Sequence, residues 1–201
     1  MIKALIFDLG RVLVNLVPEA SYARMAALSG LSRDEMQRRL RDSGLNHEFE
    51  SGRISSQDFA RRVCELLGAD IPFATFREVW CAMVDQGAII PEEFIVSLRL
   101  KYRLVLLSNT NELHFEMLKE RCPVLSHFDA CTLSYQVGAQ KPDAAIYHDA
   151  VAKAMCEPGE CFYTDDIEAY VEAARQIGIH GAQFVGLENL KIDLRGAGVE
   201  V

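Results

Sequence analysis

Short apolar runs that end abruptly at a polar residue restrict the fold of this chain more than any other feature. The first run, Ala4 to Phe7, has no polar alternation and contains a β-branched and an aromatic residue, which is typical of a buried strand in a parallel sheet. It ends at Asp8. Ligands of open α/β sheets bind outside the carboxyl ends of the strands, so Asp8 stands where a functional group is expected. The alternative is that Asp8 only begins a turn before Gly10.

From Pro91 onward, predicted helices and strands alternate along the chain. The strands are expected at 103–107, 129–133, 161–163 and 182–185, and the helices at 91–101, 111–121, 142–155 and 167–177. This alternation is typical of βαβ units and a parallel sheet. The residues after Leu187 have only a weak pattern, and no function is inferred from them.

The segment between the first strand and Pro91 is predicted to be helical throughout. Residues 18–86 contain apolar stripes at helical spacing, and Ser32 and Ser55 precede such stripes at N-cap positions. The aromatic residues in these stripes are interpreted as core. We therefore predict an α/β protein in which a Rossmann-like parallel sheet domain (residues 1–15 and 88–201) carries an inserted helical-bundle domain (residues 16–87).

Composition limits the classes of partner. The 201 residues carry a formal net charge of -8, which argues against nucleic acid or an anionic membrane surface as the main partner. Lys3 and Asp8 leave no room for the apolar segment of a signal peptide, and no uncharged stretch approaches a membrane span. The six cysteines form no Cys-x-x-Cys pair and are expected to be free thiols. We expect a cytoplasmic protein, either a monomer or a small homo-oligomer.

Polar residues also follow the later strands. Ser108 and Asn109 follow the second core strand, Asp165 and Asp166 follow the third, and Lys141 lies directly before a predicted helix. Each has a structural explanation, because such residues cap helices, carboxylates favour helix N-termini and most lysines are solvated. Their joint occurrence at successive strand ends favours a shared site.

The residue types at these strand ends favour phosphoryl transfer. Asp8, Asp165 and Asp166 would repel one another unless a hard cation lay among them, and carboxylates with a backbone carbonyl and water suit Mg²⁺. A carboxylate can also act as a nucleophile and form an aspartyl-phosphate. Lys141 can neutralise the crowded anions, while hydroxyl and amide groups hold phosphate oxygens. The residues therefore allow phosphoryl transfer to Asp8.

Four motifs in this order resemble those of the haloacid dehalogenase superfamily, in its phosphatase branch with a helical cap inserted after the first strand. They are Asp8-Leu9-Gly10-Arg11-Val12, Ser108-Asn109-Thr110, Lys141-Pro142 and Asp165-Asp166. The resemblance spans essentially the whole chain. The chain is most similar to the glucose-1-phosphatase-like group, which shares the Phe-Asp-Leu-Gly opening, the run from Ser108 to His114 and a segment like Glu50 to Ser55.

The resemblance implies a phosphatase that acts on a small phosphorylated metabolite, expected to be a sugar phosphate. Asp8 is implied as the nucleophile, and Lys141 as the residue that steadies Asp8 and the phosphoryl oxygens. Ser108 and the amide of Asn109 are implied to bind the transferring phosphoryl group. The helical cap is implied to close over the site, exclude water and select the substrate.

The same resemblance implies a Mg²⁺ site. Asp8, the backbone carbonyl of Gly10 and Asp166 are implied as direct ligands. Asp165 is implied to hold either a metal-bound water or Lys141. One departure from the family pattern is Tyr170, where a small polar residue is common. This tyrosine is expected to alter the surroundings of the metal.

A larger departure from the family pattern lies at Gly10. The superfamily commonly has a second aspartate at this place, which acts as general acid and then as general base and is typically worth about 10²–10⁴-fold in rate. The glucose-1-phosphatase-like group also has glycine there, which favours an active enzyme that uses water or a cap residue. His47, Glu48 and Glu50 are the candidates on the cap.

Two other functions stay open at the level of sequence. A catalytically weak or inactive relative could act by binding a phosphorylated metabolite or a partner, which Gly10 and Tyr170 allow. A metal-independent 2-haloacid dehalogenase is less favoured. Asp165 and Asp166 without Mg²⁺ would repel both the developing halide and the substrate carboxylate.

Overall fold

The computed structural model describes all 201 residues, apart from the side chains of residues 84–86. The strands are β1 (Ala4–Phe7), β2 (Val14–Leu16), β3 (Val84–Ala88), β4 (Arg103–Ser108), β5 (Ala130–Leu133), β6 (Cys161–Asp165) and β7 (His180–Gln183). Five of them form a parallel sheet in the order β5-β4-β1-β6-β7. The chain moves outward from β1 to β4 and β5 and then returns to β6 beside β1. The direction of winding therefore reverses between β1 and β6.

Helices cover both faces of this sheet. The helices are α1 (Pro18–Ser29), α2 (Arg33–Ser43), α3 (Leu45–Glu50), α4 (Ser56–Leu67), α5 (Phe73–Trp80), α6 (Glu92–Arg99), α7 (Glu112–Arg121), α8 (Ser134–Val137), α9 (Ala144–Ala154), α10 (Glu168–Gln176) and α11 (Leu187–Gly196). Ala4 and Ile6 of β1 pack with α9 and α10, whereas Leu5 and Phe7 pack with α6, α7 and α11. Burial on both faces explains the continuous apolar run of β1 and confirms the predicted α/β fold.

Helices α1 to α5 form an insertion between β2 and β3, which we call the helical insertion. Its core is aromatic, as the stripes predicted: the rings of Phe49 and Phe59 stack at 4.3 Å, and those of Phe59 and Trp80 meet edge to face at 4.9 Å. Ser32 and Ser55 cap their helices by accepting hydrogen bonds from backbone N–H groups three residues on. Both N-caps are therefore confirmed.

The prediction that residues 18–86 contain no strand is wrong. β3 begins at Val84 and pairs in antiparallel orientation with β2, with Leu16 opposite Val84 and Val14 opposite Ala88. Each strand has its hydrogen-bond partner about 70 residues away in sequence, so local periodicity does not reveal the pair. The predicted domain limits at 15–16 and 87–88 fall inside these two strands, and the division into domains stays a prediction.

Later elements also differ from the prediction. The first helix after Lys141 begins at Ala144 rather than 142, because the Asp143 side chain accepts a hydrogen bond from the Ala145 N–H at 2.9 Å and makes Asp143 the N-cap. β7 spans 180–183 rather than 182–185. The weakly patterned tail forms α11, which buries Leu190 and Leu194 against the sheet.

All six cysteines are free thiols, as expected. Among the described residues, no helix combines the length and the apolar character that a bilayer span requires.

A glycine marks the place where the helical insertion approaches α8. Gly52 has φ +68°, and a Cβ atom there would lie 2.0 Å from the carbonyl oxygen of Tyr135. Gly68 has φ +69° but has no neighbouring atom within 4 Å of the same position. Gly68→Ala is therefore a matched control that carries the cost of the left-handed conformation alone, about 1–2 kcal/mol.

We expect Gly52→Ala to lower the free energy of unfolding by about 1–3 kcal/mol more than Gly68→Ala does, because the insertion and α8 must separate to admit the methyl group. Urea unfolding of the two variants beside the wild type measures this difference. Equal losses in the two variants would show that Gly52 does not form a close contact with Tyr135.

Candidate active site

The candidate site lies at the carboxyl ends of β1 and β6, where the winding of the sheet reverses. Asp8 directly follows β1, and Asp165 is the last residue of β6. Lys141 comes from the loop before α9, and its Nζ lies 2.6 Å from Asp8 Oδ1 and 2.6 Å from Asp165 Oδ2. All three residues are buried. The structure therefore joins two strand-end carboxylates and a loop lysine, up to 157 positions apart in sequence, into one ionic cluster.

Burial controls the ionisation of this cluster. It raises the pKa of Asp8 to about 6; Asp165 adds to this by repulsion, and Lys141 opposes it. Burial by itself would lower the pKa of Lys141, but the attraction of the two carboxylates outweighs it and the pKa is raised. Lys141 therefore stays charged, whereas the neighbouring Asp8 carboxyl group takes up a proton at a higher pH than an exposed aspartate does.

Asp165 has hydrogen-bond partners on both oxygens. Its Oδ2 accepts from Lys141 and from the hydroxyl of Tyr163, and its Oδ1 accepts from the Ile167 N–H at 2.8 Å. The ring of Tyr170, one of the departures noted above, lies 5.1 Å from Lys141 Nζ. An aromatic face at this distance favours the charged lysine, so Tyr170 packs beside the lysine.

The end of β4 contributes in a way that the sequence did not predict. Ser108 is buried at the cluster's edge, as expected from its motif. The side chain of Asn109 holds the backbone of Lys141: its Oδ1 accepts from Lys141 N at 2.8 Å and its Nδ2 donates to Lys141 O at 3.1 Å. Asn111 caps α7 by accepting from the His114 N–H at 3.1 Å. The helix-capping explanation is thus correct for Asn111, whereas Asn109 fixes the loop that carries the lysine.

A possible cation site lies beside the ionic cluster. Asp8, Asp165 and Asp166 each offer an oxygen atom, and these oxygens lie within 4.8 Å of one another. Asp165 already has protein partners on both oxygens, so Asp8, Asp166 and the backbone carbonyl of Gly10 stay the expected direct ligands. Opposite ligands of octahedral Mg²⁺ are about 4 Å apart, and Mg²⁺ prefers oxygen donors and retained water. The residues present therefore fit this ion.

A small cavity of about 190 Å³ separates the site from the helical insertion. Gly10, Ser108 and His114 line it from the sheet side, and Asn46 and Glu50 are among the residues that line it from the insertion. A reacting group bound at Ser108 would therefore be enclosed between the two parts of the chain.

The three acid–base candidates on the insertion have different surroundings. His47 interacts with Gln140 at 2.9 Å and with Arg53 at 2.7 Å, and Glu48 pairs with Arg62 at 2.6 Å. Glu50 lines the cavity, whereas neither His47 nor Glu48 is among its lining residues.

His114 joins α7 to the insertion. Its Nε2 donates to the carbonyl oxygen of Trp80 at 3.2 Å, and its Nδ1 accepts from the side-chain amide of Asn111 at 3.0 Å. Burial lowers its pKa from 6.5 to about 4, so the ring is neutral at pH 7.

We predict that this histidine destabilises the fold in acid. Between pH 6.5 and 4 the unfolded chain binds a proton at His114 and the folded chain does not, so stability falls as pH falls. The difference in unfolding free energy between the wild type and His114→Gln is expected to shrink by up to about 3 kcal/mol from pH 7 to pH 4. Urea unfolding of both proteins across this range measures it; a constant difference would contradict the assignment of a neutral, buried ring.

Comparison with known proteins identifies the family. A model of haloacid dehalogenase-like hydrolases matches residues 2–178. The chain belongs to this family. A curated member, D-ribitol-5-phosphate phosphatase from Bacteroides thetaiotaomicron, is 25% identical over 189 residues, which cover 91% of this chain and 92% of that protein.

Solved structures of the family agree with this fold. A haloacid dehalogenase family enzyme from Bacteroides thetaiotaomicron, in complex with magnesium and inorganic phosphate, superposes with a TM-score of 0.81 at 27% identity, covering 91% of this chain and 94% of that one. A predicted family hydrolase from Porphyromonas gingivalis gives a TM-score of 0.83 at 29% identity over 100% of both chains. The family resemblance read from the four motifs is therefore confirmed.

The contacts of Tyr163 and of the Asn109 side chain in this site were not predicted from the sequence, although periodicity could have indicated the first. Tyr163 lies two residues before Asp165 on the same strand, so both side chains project to the same face. The role of the Asn109 side chain had no such signal, because it depends on how the Lys141 loop folds back onto β4.

Proposed function

We propose that the protein is a Mg²⁺-dependent phosphatase that hydrolyses a small sugar phosphate through an aspartyl-phosphate formed on Asp8. The observation that carries this proposal is the buried contact of Lys141 with both Asp8 and Asp165. The carboxylate of Asp166 lies beside them and, among the described side chains, pairs only with the exposed Arg11, at 3.8 Å. Membership of the hydrolase family and the activity named for the Bacteroides relative support it.

In the first half of the reaction, an oxygen of Asp8 attacks the phosphorus of the monoester and the bond to the leaving oxygen breaks. The Ser108 hydroxyl and the backbone amide of Asn109 donate hydrogen bonds to the phosphoryl oxygens. Lys141, which is fixed by Asn109 and Asp165, keeps Asp8 oriented and offsets the negative charge that collects around it. In the second half, water attacks the phosphorus and releases Asp8.

Mg²⁺ held by Asp8, Asp166 and the Gly10 carbonyl would neutralise phosphoryl charge as it develops. Asp165 contributes through Lys141 rather than as a direct ligand, because both of its oxygens have protein partners. This is one of the two roles that the family resemblance implied for Asp165.

The surroundings of Asp8 make dehalogenation a weaker alternative. Asp166 adds negative charge next to Asp8, and a 2-haloacid brings a carboxylate of its own into the same space. Lys141 is already shared by two carboxylates, so it has little capacity to offset a third and a departing halide.

The cavity between the sheet and the helical insertion supports a small substrate. Its volume of about 190 Å³ suits a short polyol or sugar group better than a nucleotide. A cytoplasmic location and a monomeric or small homo-oligomeric state stay predictions.

The test is phosphate release from ribitol 5-phosphate, glucose 1-phosphate and flavin mononucleotide, each with Mg²⁺, with EDTA, and with Mg²⁺ restored after EDTA. We expect turnover of a sugar phosphate that disappears with EDTA and returns with the metal. Absence of turnover on every substrate, in protein whose melting temperature still rises with Mg²⁺, would favour a binding protein. Halide release from 2-haloacids in EDTA would favour a dehalogenase.

A further inference from the structure

The sheet side of the site offers no free proton donor for a leaving alkoxide among the described residues that line it. Asp8 is the proposed nucleophile, Lys141 is shared by two carboxylates, and both nitrogens of His114 are engaged. Position 10 cannot supply one either. Gly10 has no side chain, and a Cβ atom there would lie 2.8 Å from Cδ1 of Leu16, so a larger residue would require the Leu16 side chain to shift.

Glu50 faces the same space from the helical insertion. It lines the cavity together with Gly10 and Ser108, and no described residue forms a hydrogen bond or an ion pair with its carboxyl group. Glu48, on the same short helix, is instead neutralised by Arg62. A half-buried carboxyl group without a protein partner is costly, and its presence beside a reacting centre calls for a functional explanation.

The electrostatic surroundings of Glu50 favour its acid form. Burial raises its pKa, and His47 on the same helix opposes this in part. Tyr22 and the exposed Glu19 of α1 and the exposed Arg33 of α2 lie on this side of the insertion, and burial raises the pKa of the Tyr22 hydroxyl. From α7, the neutral ring of His114 adds no positive charge. The pKa of the Glu50 carboxyl group therefore lies above that of an exposed glutamate, which is the direction that a general acid requires.

We propose that Glu50 is the general acid and general base of the reaction, taking the role for which Gly10 has no side chain. The proposal rests on the phosphatase function proposed above. In the first step Asp8 forms a bond to phosphorus, the bond between phosphorus and the leaving oxygen breaks, and the Glu50 carboxyl gives its proton to that oxygen. The products are the alcohol, phosphorylated Asp8 and the Glu50 carboxylate.

In the second step, water occupies the place that the alcohol has left. The Glu50 carboxylate takes a proton from this water, whose oxygen bonds to phosphorus while the bond to Asp8 breaks. Inorganic phosphate leaves, Asp8 is again a carboxylate and Glu50 is again protonated. Since the helical insertion carries Glu50, the acid–base group is present only when the insertion lies over the site.

The test compares Glu50→Gln with Glu48→Gln, a control that makes the same side-chain substitution on the same helix. Two kinds of substrate separate phosphorylation of Asp8 from its hydrolysis. A sugar phosphate has an alkoxide leaving group that needs a proton, whereas p-nitrophenyl phosphate and acetyl phosphate have leaving groups that depart without one. For Glu50→Gln we expect kcat/KM on the sugar phosphate to fall about 10²–10⁴-fold, with KM changed only a few-fold. Glu48→Gln should stay within a few-fold of the wild type on both.

The activated substrates give a second readout. Glu50→Gln should still be phosphorylated by them but should release phosphate slowly, so the phosphorylated protein accumulates and is detected by intact mass spectrometry after an acid quench. A role in binding substrate hydroxyls would raise KM and give no accumulation. That result, or sugar-phosphate turnover equal to that of Glu48→Gln, would overturn the proposal. Wild-type protein without metal-dependent turnover would instead refute the phosphatase function itself.

Discussion

Asp8→Asn is expected to eliminate metal-dependent turnover while leaving the fold intact. Asparagine keeps the shape of the side chain but cannot attack phosphorus and form the aspartyl-phosphate, so kcat should fall by at least about 10³-fold. Phosphate release from the preferred sugar phosphate measures this loss. Residual activity above a hundredth of the wild type would place the nucleophile elsewhere, and Asp166 would be the next residue to replace.

The same substitution should not destabilise the metal-free protein. Because burial raises the pKa of Asp8 to about 6, the folded chain holds a proton there that the unfolded chain has already released. Stability from this group therefore falls as pH rises from about 4 to 6, and above that range the carboxylate opposes folding. In EDTA at pH 7.5, we expect the melting temperature of Asp8→Asn to equal or exceed that of the wild type.

Mg²⁺ should reverse this order. A ligand that binds only the folded state raises stability with its concentration, and the wild type keeps the Asp8 oxygen that the variant lacks. His114 acts on stability in the opposite sense over the same acid range, so the difference between wild type and variant is the quantity to follow. A clear loss of stability in EDTA would show that Asp8 contributes to folding through Lys141 more than burial costs.

Lys141→Met is expected to be the most destabilising single substitution in the site. It leaves Asp8 and Asp165 buried without the cation that both contact at 2.6 Å. Breaking a buried ionic cluster by removing one partner typically costs about 3–5 kcal/mol. We expect this loss at pH 7.5 and a smaller one at pH 5, where Asp8 becomes protonated; activity should be lost at both.

An exposed ion pair between a lysine and a glutamate provides the control for Lys141. Lys101 pairs with Glu200 at 2.9 Å, but both side chains are more than half exposed, so Lys101→Met should leave the melting temperature nearly unchanged. Urea unfolding of both variants at the two pH values tests the comparison. Equal and small losses would mean that water reaches Asp8 and Asp165 more freely than their burial indicates.

Asp8 and Asp165 were predictable because each stands at the end of a predicted strand, and Lys141 because it directly precedes a predicted helix. Asp8, Lys141 and Asp165 occupy positions that the alternation of apolar runs and helices marks as one edge of a parallel sheet. That inference needs only local patterns and the rule that ligands bind where the winding reverses. The order of four motifs then led to the family.

Contacts between distant segments were not predictable in this way. The pairing of β2 with β3, the hold of Asn109 on the Lys141 backbone and the choice of Glu50 among three acid–base candidates all depend on how the insertion sits on the sheet. Local periodicity describes which face of an element is buried, but it does not say which partner covers that face. Finding these contacts therefore needed the structure.

The β2–β3 pair has a consequence for how the enzyme can move. Both covalent connections between sheet and helical insertion run through this two-stranded ribbon, and β2 starts only a few residues after Asp8. The Arg11 N–H bonds to the Val14 carbonyl at 2.7 Å, and the Leu16 side chain packs beside Gly10. A twist of the ribbon that lifts the insertion therefore also shifts the Gly10 carbonyl. Lifting the helical insertion would therefore also loosen the proposed cation site.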